Sequence, residues 1–197
     1  MLNLKRSFGL SLVLAIISGM FWFLLAAIFG KWILGFYIQD AMVIENGLLY
    51  LRIAMFSYVF LAIEFAFNIV YRNINKPRIP LIIGIMAMII NVISNYIFIF
   101  GLFGMPKMGI QGAALGTCLA HMSAVSIHFI YAYRTHQIFL GSLSEMFSFD
   151  IRFVKNIMRK TQAIIINELF LWFWINIIYQ SVWCFGNKLY GCLLCRG

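Results

Sequence analysis

Long apolar stretches separated by short polar ones divide the chain into five segments, each long enough to cross a membrane. The predicted spans are residues 8–35, 53–71, 79–105, 108–133 and 161–183. Each is near the ~20 residues that an α-helix needs to cross ~30 Å of hydrocarbon. The pattern therefore predicts an all-α polytopic membrane protein.

The composition supports a lipid environment. The 197 residues are 63% hydrophobic and 11% charged, and the mean hydropathy is +0.94. A soluble domain is about one quarter charged and just under half apolar. The chain therefore cannot cover itself with polar surface, and its main partner is the lipid bilayer. The net charge of +9 is explained by basic residues, which in membrane proteins concentrate in the loops that stay in the cytoplasm. We therefore expect no nucleic-acid partner.

The basic residues predict the direction of the spans. Five spans place the two ends of the chain on opposite faces, with ten of the 15 Lys and Arg residues on the face that holds the N-terminus. Because basic residues concentrate in cytoplasmic loops, we expect a cytoplasmic N-terminus. The predicted location is a bacterial-type inner or plasma membrane, crossed several times.

The loop at residues 135–160 is the longest between spans, and it lies on the predicted cytoplasmic face. Apolar residues recur in it at helical spacing, with charged residues on another side: Phe149, Phe153 and Ile157 against Asp150, Lys155 and Arg159. This pattern predicts an amphipathic helix along the membrane surface. The alternative is a simple extension of the fifth span.

Several polar side chains interrupt the apolar spans, and such groups need a partner or a cavity. They are Glu64, Asn91, Asn95, His121, His128, Asn167, Glu168 and Asn176. Asn91 lies about 18 Å along its helix, near mid-depth, and Asn95 follows one turn later on the same face. The pair either joins helices by hydrogen bonds or marks an ion or substrate path.

The two acids and the two histidines within spans allow different interpretations. A carboxylate inside a membrane is a functional hypothesis by default, although Glu64 also fits a structural ion pair. His121 and His128 are seven residues apart and share a face. For them the sequence favours packing or hydrogen bonding over a proton relay.

Small residues recur every four positions in the fourth span, at Gly112, Gly116 and Ala120. Such a stripe lets a neighbouring helix backbone come close, and Thr117 lies beside it. The residues from Gly104 to Gly109 predict a tight hairpin before this span, with Pro106 in the turn.

No sequence motif for catalysis is present, so we expect neither an enzyme nor a bound cofactor. The chain has no Gly-x-Ser-x-Gly, phosphate loop or His-Glu-x-x-His. Cys192 and Cys195 have a metal-site spacing, but no histidine follows them, so no metal site is predicted.

One stretch carries a family resemblance. It reads Asn91-x-x-x-Asn95-Tyr-Ile-Phe-Ile-Phe-Gly and then Gly-x-Pro-x-x-Gly-x-x-Gly-Ala-Ala-x-x-Thr, ending at Thr117. With the preceding Arg72, Asn75, Lys76, Pro77, Arg78 and Pro80, it resembles the multidrug and toxic compound extrusion (MATE) transporters. The five spans resemble helices three to seven of the family's twelve.

The resemblance implies an antiporter that exports cationic or aromatic drug-like compounds in exchange for Na⁺ or H⁺. By motif position, it implies a cation site at Asn91, Asn95 and Thr117. Asn95 replaces an acid that is common there, and an amide cannot titrate, although its oxygen can bind sodium. Glu168 resembles an acid on the family's seventh helix. We therefore expect ion coupling to depend on Glu168.

The resemblance to the MATE transporters also implies that the chain is a fragment. Residues 1–134 resemble part of the first lobe, 135–160 the linker between lobes and 161–183 the first helix of the second lobe. The family's first two and last five helices have no counterpart, so we expect either a fragment or a separate chain that supplies the other half. Residues 184–197 lose the likeness, and a frameshift near Ser181 would explain this. Codons that do not spell the family's motif in the shifted frame would refute the frameshift.

Two other functions remain open. One is a lipid-linked saccharide flippase of the wider superfamily, although such proteins often carry basic residues inside the lobe and these span centres hold none. The other is an inactive fragment without transport.

Overall fold

A computed structural model describes residues 2–37 and 40–141, together with residues 150, 152, 154, 155, 157 and 159. The chain divides into two units, Met1–Ser148 and Phe149–Gly197. The described part of the first unit contains α1 (Leu2–Tyr37), α2 (Ala41–Ala54), α3 (Ser57–Asn73), α4 (Arg78–Phe100) and α5 (Ile110–Arg134). These residues include no strand, which confirms the predicted all-α class.

Three of the helices, α1, α4 and α5, are long and apolar enough to cross a membrane. The helices α2 and α3 form a fourth span if they cross as a pair, bent by 51°. Many large apolar side chains on these helices are exposed, such as Ile28, Trp32 and Met88. Exposed apolar surface on this scale is unfavourable in water, so it fits contact with lipid chains.

The second span differs from the prediction, which began it at residue 53. The helix α2 already starts at Ala41, where the side chain of Asp40 accepts a hydrogen bond from the Met42 backbone N–H at 2.8 Å. It continues past Arg52, whose side chain is exposed, so this charge does not end the helix. The break comes instead at Met55 and Phe56.

The third span also ends earlier than predicted, at Phe100 rather than at residue 105. Gly101 ends α4 with a left-handed φ of 72°, and its N–H donates to the Ile97 carbonyl at 2.9 Å. A Cβ at this position would lie 2.8 Å from the Lys107 nitrogen, so only glycine fits here. The turn then runs to Gly109, and α5 begins at Ile110 rather than at residue 108.

Side-chain contacts give the relative directions of the helices. Phe98 lies against Gly112 and Asn95 against Gly116, so α4 and α5 are antiparallel. Glu64 contacts His121, and further along both helices Phe67 stacks on His128, so α3 and α5 run in the same direction. The helix α1 packs antiparallel to α3, with Phe8 beside Phe67 and Gly19 beside Val59.

An aromatic core joins α1, α3 and the segment after α5. Phe8, Phe67, Tyr71 and Phe139 are fully buried, and the ring centroids of Phe8 and Phe139 are 4.7 Å apart. Phe139 belongs to the predicted linker at residues 135–160. Its burial places the start of that segment within the core of the first unit.

In the second unit, residues 152, 154, 155, 157 and 159 are helical. Arg152, Lys155 and Arg159 are exposed, whereas Val154 and Ile157 are half-buried. The surface helix stays a prediction, as does the fifth span. Phe149, Phe153, Lys160 and the segments 161–183 and 184–197 lie outside the described residues.

Candidate functional site

Three of the predicted site residues lie together between α4 and α5. The Asn95 side-chain amide donates to the Asn91 side-chain oxygen at 3.0 Å. The Asn91 amide donates to the Thr117 hydroxyl across the two helices at 3.5 Å, a long contact. The hydroxyl itself donates to the Ala113 carbonyl at 3.0 Å. We call Asn91, Asn95 and Thr117 the amide cluster.

The small-residue stripe explains why these side chains can meet. A Cβ on Gly112 would lie 2.6 Å from the backbone carbonyl carbon of Phe98, and a Cβ on Gly116 would overlap the Asn95 side-chain oxygen. Gly112, Gly116 and Ala120 are all buried. Backbone therefore lies against backbone at this crossing, which brings short amide side chains within hydrogen-bonding distance.

The amide cluster offers oxygen atoms but no titratable group. Its three side-chain oxygens are of the kind that bind hard cations. The Asn95 oxygen is buried and has no hydrogen-bond partner in the described part of the chain. Because this oxygen faces Gly116, an ion between the two asparagines would require the Asn95 amide to turn. A proton has no basic atom to bind here.

A second polar contact connects α3 and α5. The Nδ1 atom of His121 lies 2.9 Å from the Oε2 atom of Glu64, and the side chains are 26% and 14% exposed. His121 follows Thr117 by one helical turn, so this pair lies next along α5 from the amide cluster. The sequence identified both residues as candidates but did not show that they form a pair.

Further along α3 and α5, past this pair, lie three polar side chains with buried polar atoms. The ring of His128 is fully buried and stacks on Phe67 at 5.1 Å between centroids, with the planes 8° apart. Neither of its nitrogens has a hydrogen-bond partner among the described residues, and the same holds for the Asn68 Oδ1 and Tyr71 Oη atoms. Asn68 and Tyr71 were not among the candidates predicted from the sequence. Their spacing from Glu64, four and then three residues, places them on one face of α3 and was the available signal.

Comparison with known proteins finds similarity over part of the chain. The MatE family model matches residues 2–97, a segment that includes Asn91 and Asn95. The chain is 33% identical over 88 residues to the "Probable multidrug resistance protein NorM" of Bacillus subtilis (strain 168), which covers 44% of this chain. The "Probable multidrug resistance protein YoeA" of the same organism is 27% identical over 129 residues, or 66% of this chain.

The N-terminal half of the chain is similar to the MATE family. The matched segments amount to 20% of the NorM protein and 28% of the YoeA protein, so the chain spans only a minor part of these relatives. A shorter segment of 45 residues is 42% identical to the NorM protein of Neisseria meningitidis serogroup A. No solved structure matches the chain significantly.

Similarity to the MATE family agrees with a multi-pass membrane protein, as the apolar helices indicate. Three further candidates, Asn167, Glu168 and Asn176, lie outside the described residues, so their roles stay predictions. Within the described ranges, no three His, Cys, Asp or Glu side chains are close enough to hold a metal ion.

Proposed function

We propose that this chain is part of an antiporter that exports cationic or aromatic compounds in exchange for Na⁺ or H⁺. Similarity to the MATE family and the names of the two Bacillus subtilis relatives support export of drug-like compounds. The observation that carries the proposal is the amide cluster. It places three side-chain oxygens between two apolar helices, where an isolated polar group is costly.

In the proposed cycle, the oxygens of Asn91, Asn95 and Thr117 replace part of the hydration shell of a sodium ion. The ion and the exported compound bind in turn, and the protein opens alternately to the two faces of the membrane. This movement requires a second lobe, so the partner is either the rest of a longer chain or a separate polypeptide. The N-terminus lies in the cytoplasm, as the excess of basic residues on its face indicates.

Dye export tests the proposed function. The chain is expressed by itself in cells without other drug pumps. In a second experiment it is expressed within a longer protein, called the restored protein, that supplies the missing helices. The restored protein is expected to lower the accumulation of ethidium, a cationic aromatic dye, when a sodium or proton gradient is present. Asn91→Leu and Thr117→Val are expected to abolish sodium-driven export, because each removes a cation-binding oxygen.

Ser126→Ala is the matched control, because the Ser126 hydroxyl is on the exposed side of α5 and donates only to the Met122 carbonyl. It should leave export unchanged. Full sodium-driven export by Asn91→Leu would exclude the amide cluster as the ion site. If the restored protein exports no dye, the alternatives are an inactive fragment or a lipid-linked saccharide flippase, which lipid-flipping assays in vesicles distinguish.

Glu168 carries a separate prediction. In the restored protein, Glu168→Gln is expected to abolish coupled export, because the amide cluster has no group that titrates and an acid in a membrane span is costly unless it functions. Glu45→Gln, which removes an exposed carboxylate from α2, serves as the control. Unchanged dye export by Glu168→Gln would rule out this role.

A further inference from the structure

The contact between Glu64 and His121 places two titratable side chains together inside the membrane spans. Their charged forms are costly in hydrocarbon, yet the two atoms lie 2.9 Å apart, a normal hydrogen-bond distance. Such a contact holds one shared proton between Nδ1 and Oε2. With only that proton, the pair carries one negative charge in total.

A second proton makes the pair electrically neutral. It adds to the lone pair of the second ring nitrogen, Nε2, and no other bond breaks. The pair then consists of an imidazolium and a carboxylate, which is the same charge state as a neutral imidazole beside a carboxylic acid. Since a net charge is more costly than a neutral pair in a medium of low dielectric constant, uptake of this proton offsets the burial of Glu64.

We propose that Glu64 and His121 form a proton-binding site in this lobe, distinct from the amide cluster, which takes up and releases one proton during transport. The proposal rests on the proposed antiport function. When the proton leaves, the pair regains its negative charge, and this charge favours binding of a cationic compound in its place. The amide cluster cannot provide this exchange, because Asn91, Asn95 and Thr117 do not titrate.

Among the described residues, the ring of His128 on α5 is within electrostatic range of Glu64. Tyr71 of α3 stacks on that ring. On α4, Tyr96 is exposed. The α4 side chains that reach α5 at the adjacent turn are therefore the uncharged amides of the amide cluster. The charged residues of α2, Glu45 and Arg52, are exposed.

The charged residues of α1, Lys5, Arg6 and Lys31, lie near its two ends. The buried oxygens of Asn68 and Tyr71 have unfilled hydrogen-bonding capacity among the described residues. Buried polar atoms of this kind are usually hydrogen-bonded, often to ordered water. By their helical spacing from Glu64, both residues lie on the same face of α3 as Glu64, towards the end of the helix.

Nitrogen-15 NMR of the histidine rings tests the site directly. The chain has three histidines, and His121→Asn and His136→Asn assign the signals. In the full chain in lipid vesicles, the His121 ring is expected to change from one protonated nitrogen at about pH 8 to two at about pH 5. Glu64→Gln is expected to abolish this change, because the amide no longer stabilises the imidazolium.

The control variant Glu45→Gln should leave the change intact, and unaltered His128 and His136 signals show that a variant still folds. A His121 signal that stays constant over this range in the parent chain, whether neutral or charged, overturns the proposal, and this result needs no variant. A change that persists in Glu64→Gln also overturns it.

Transport gives the second test. In the restored protein, Glu64→Gln and His121→Asn are expected to lose proton-driven ethidium export, whereas Glu45→Gln and His136→Asn retain it. Export that persists in both site variants overturns the proposal. If the parent itself exports no dye, the antiport function fails, and the NMR experiment still decides whether the pair binds a proton.

Discussion

Replacing Phe67 with alanine is expected to lower the free energy of unfolding by about 3–5 kcal/mol. The Phe67 ring is fully buried, and its centroid lies 5.1 Å from that of Phe8 and 4.8 Å from that of Phe129. It also stacks on His128. The alanine would leave a cavity among these rings, and the lining atoms would lose their dispersion contacts.

Phe65→Ala is the control for this substitution, since Phe65 is on the same helix and is 60% exposed. It is expected to change the free energy of unfolding by at most about 0.5 kcal/mol. Both variants are unfolded from mild detergent micelles by titration with sodium dodecyl sulfate, and helix content is followed by circular dichroism. Equal effects of the two substitutions would mean that the aromatic core does not stabilise the fold.

Replacing Gly112 with alanine is expected to cost about 1–3 kcal/mol, as for other overpacked sites. The new methyl group would lie 2.6 Å from the carbonyl carbon and 2.7 Å from the carbonyl oxygen of Phe98. These are backbone atoms of α4, which cannot rotate out of the way as a side chain can. The two helices must therefore separate, and this also lengthens the contact between Asn91 and Thr117.

Replacing Gly84 with alanine is expected to stabilise the fold rather than destabilise it. Gly84 lies within α4, and a Cβ there would meet nothing within 4 Å. Alanine is favoured over glycine inside a helix by roughly 0.5–1 kcal/mol. The same detergent titration compares the two variants. Equal stability of Gly112→Ala and Gly84→Ala would show that the close contact between α4 and α5 does not constrain the helices.

The apolar runs predicted the helices well because lipid requires long uninterrupted segments, but they predicted the helix ends poorly. Residues 101–105 hold no charged or polar side chain, yet α4 ends before them, at the left-handed φ of Gly101. Conversely, the charged residues Glu45 and Arg52 of α2 lie before the predicted start of the second span at residue 53. Both side chains are exposed, so the helix tolerates them.

The amide cluster was predictable from local spacing. Asn91 and Asn95 share a face by helical geometry alone, and the small-residue stripe beside Thr117 indicated close packing. The pairing of Glu64 with His121 was not predictable, since they are separated by 57 residues along the chain. Their contact depends on α3 and α5 lying side by side in the same direction, and no local pattern in the sequence specifies that arrangement.

The glycine contacts between α4 and α5 also have a mechanical consequence. Gly112 and Gly116 touch the opposite helix at two levels one turn apart, so they fix both the height and the rotation of α5 against α4. The two helices therefore move together as one rigid body. We expect bending within this unit to occur instead at the 51° break between α2 and α3.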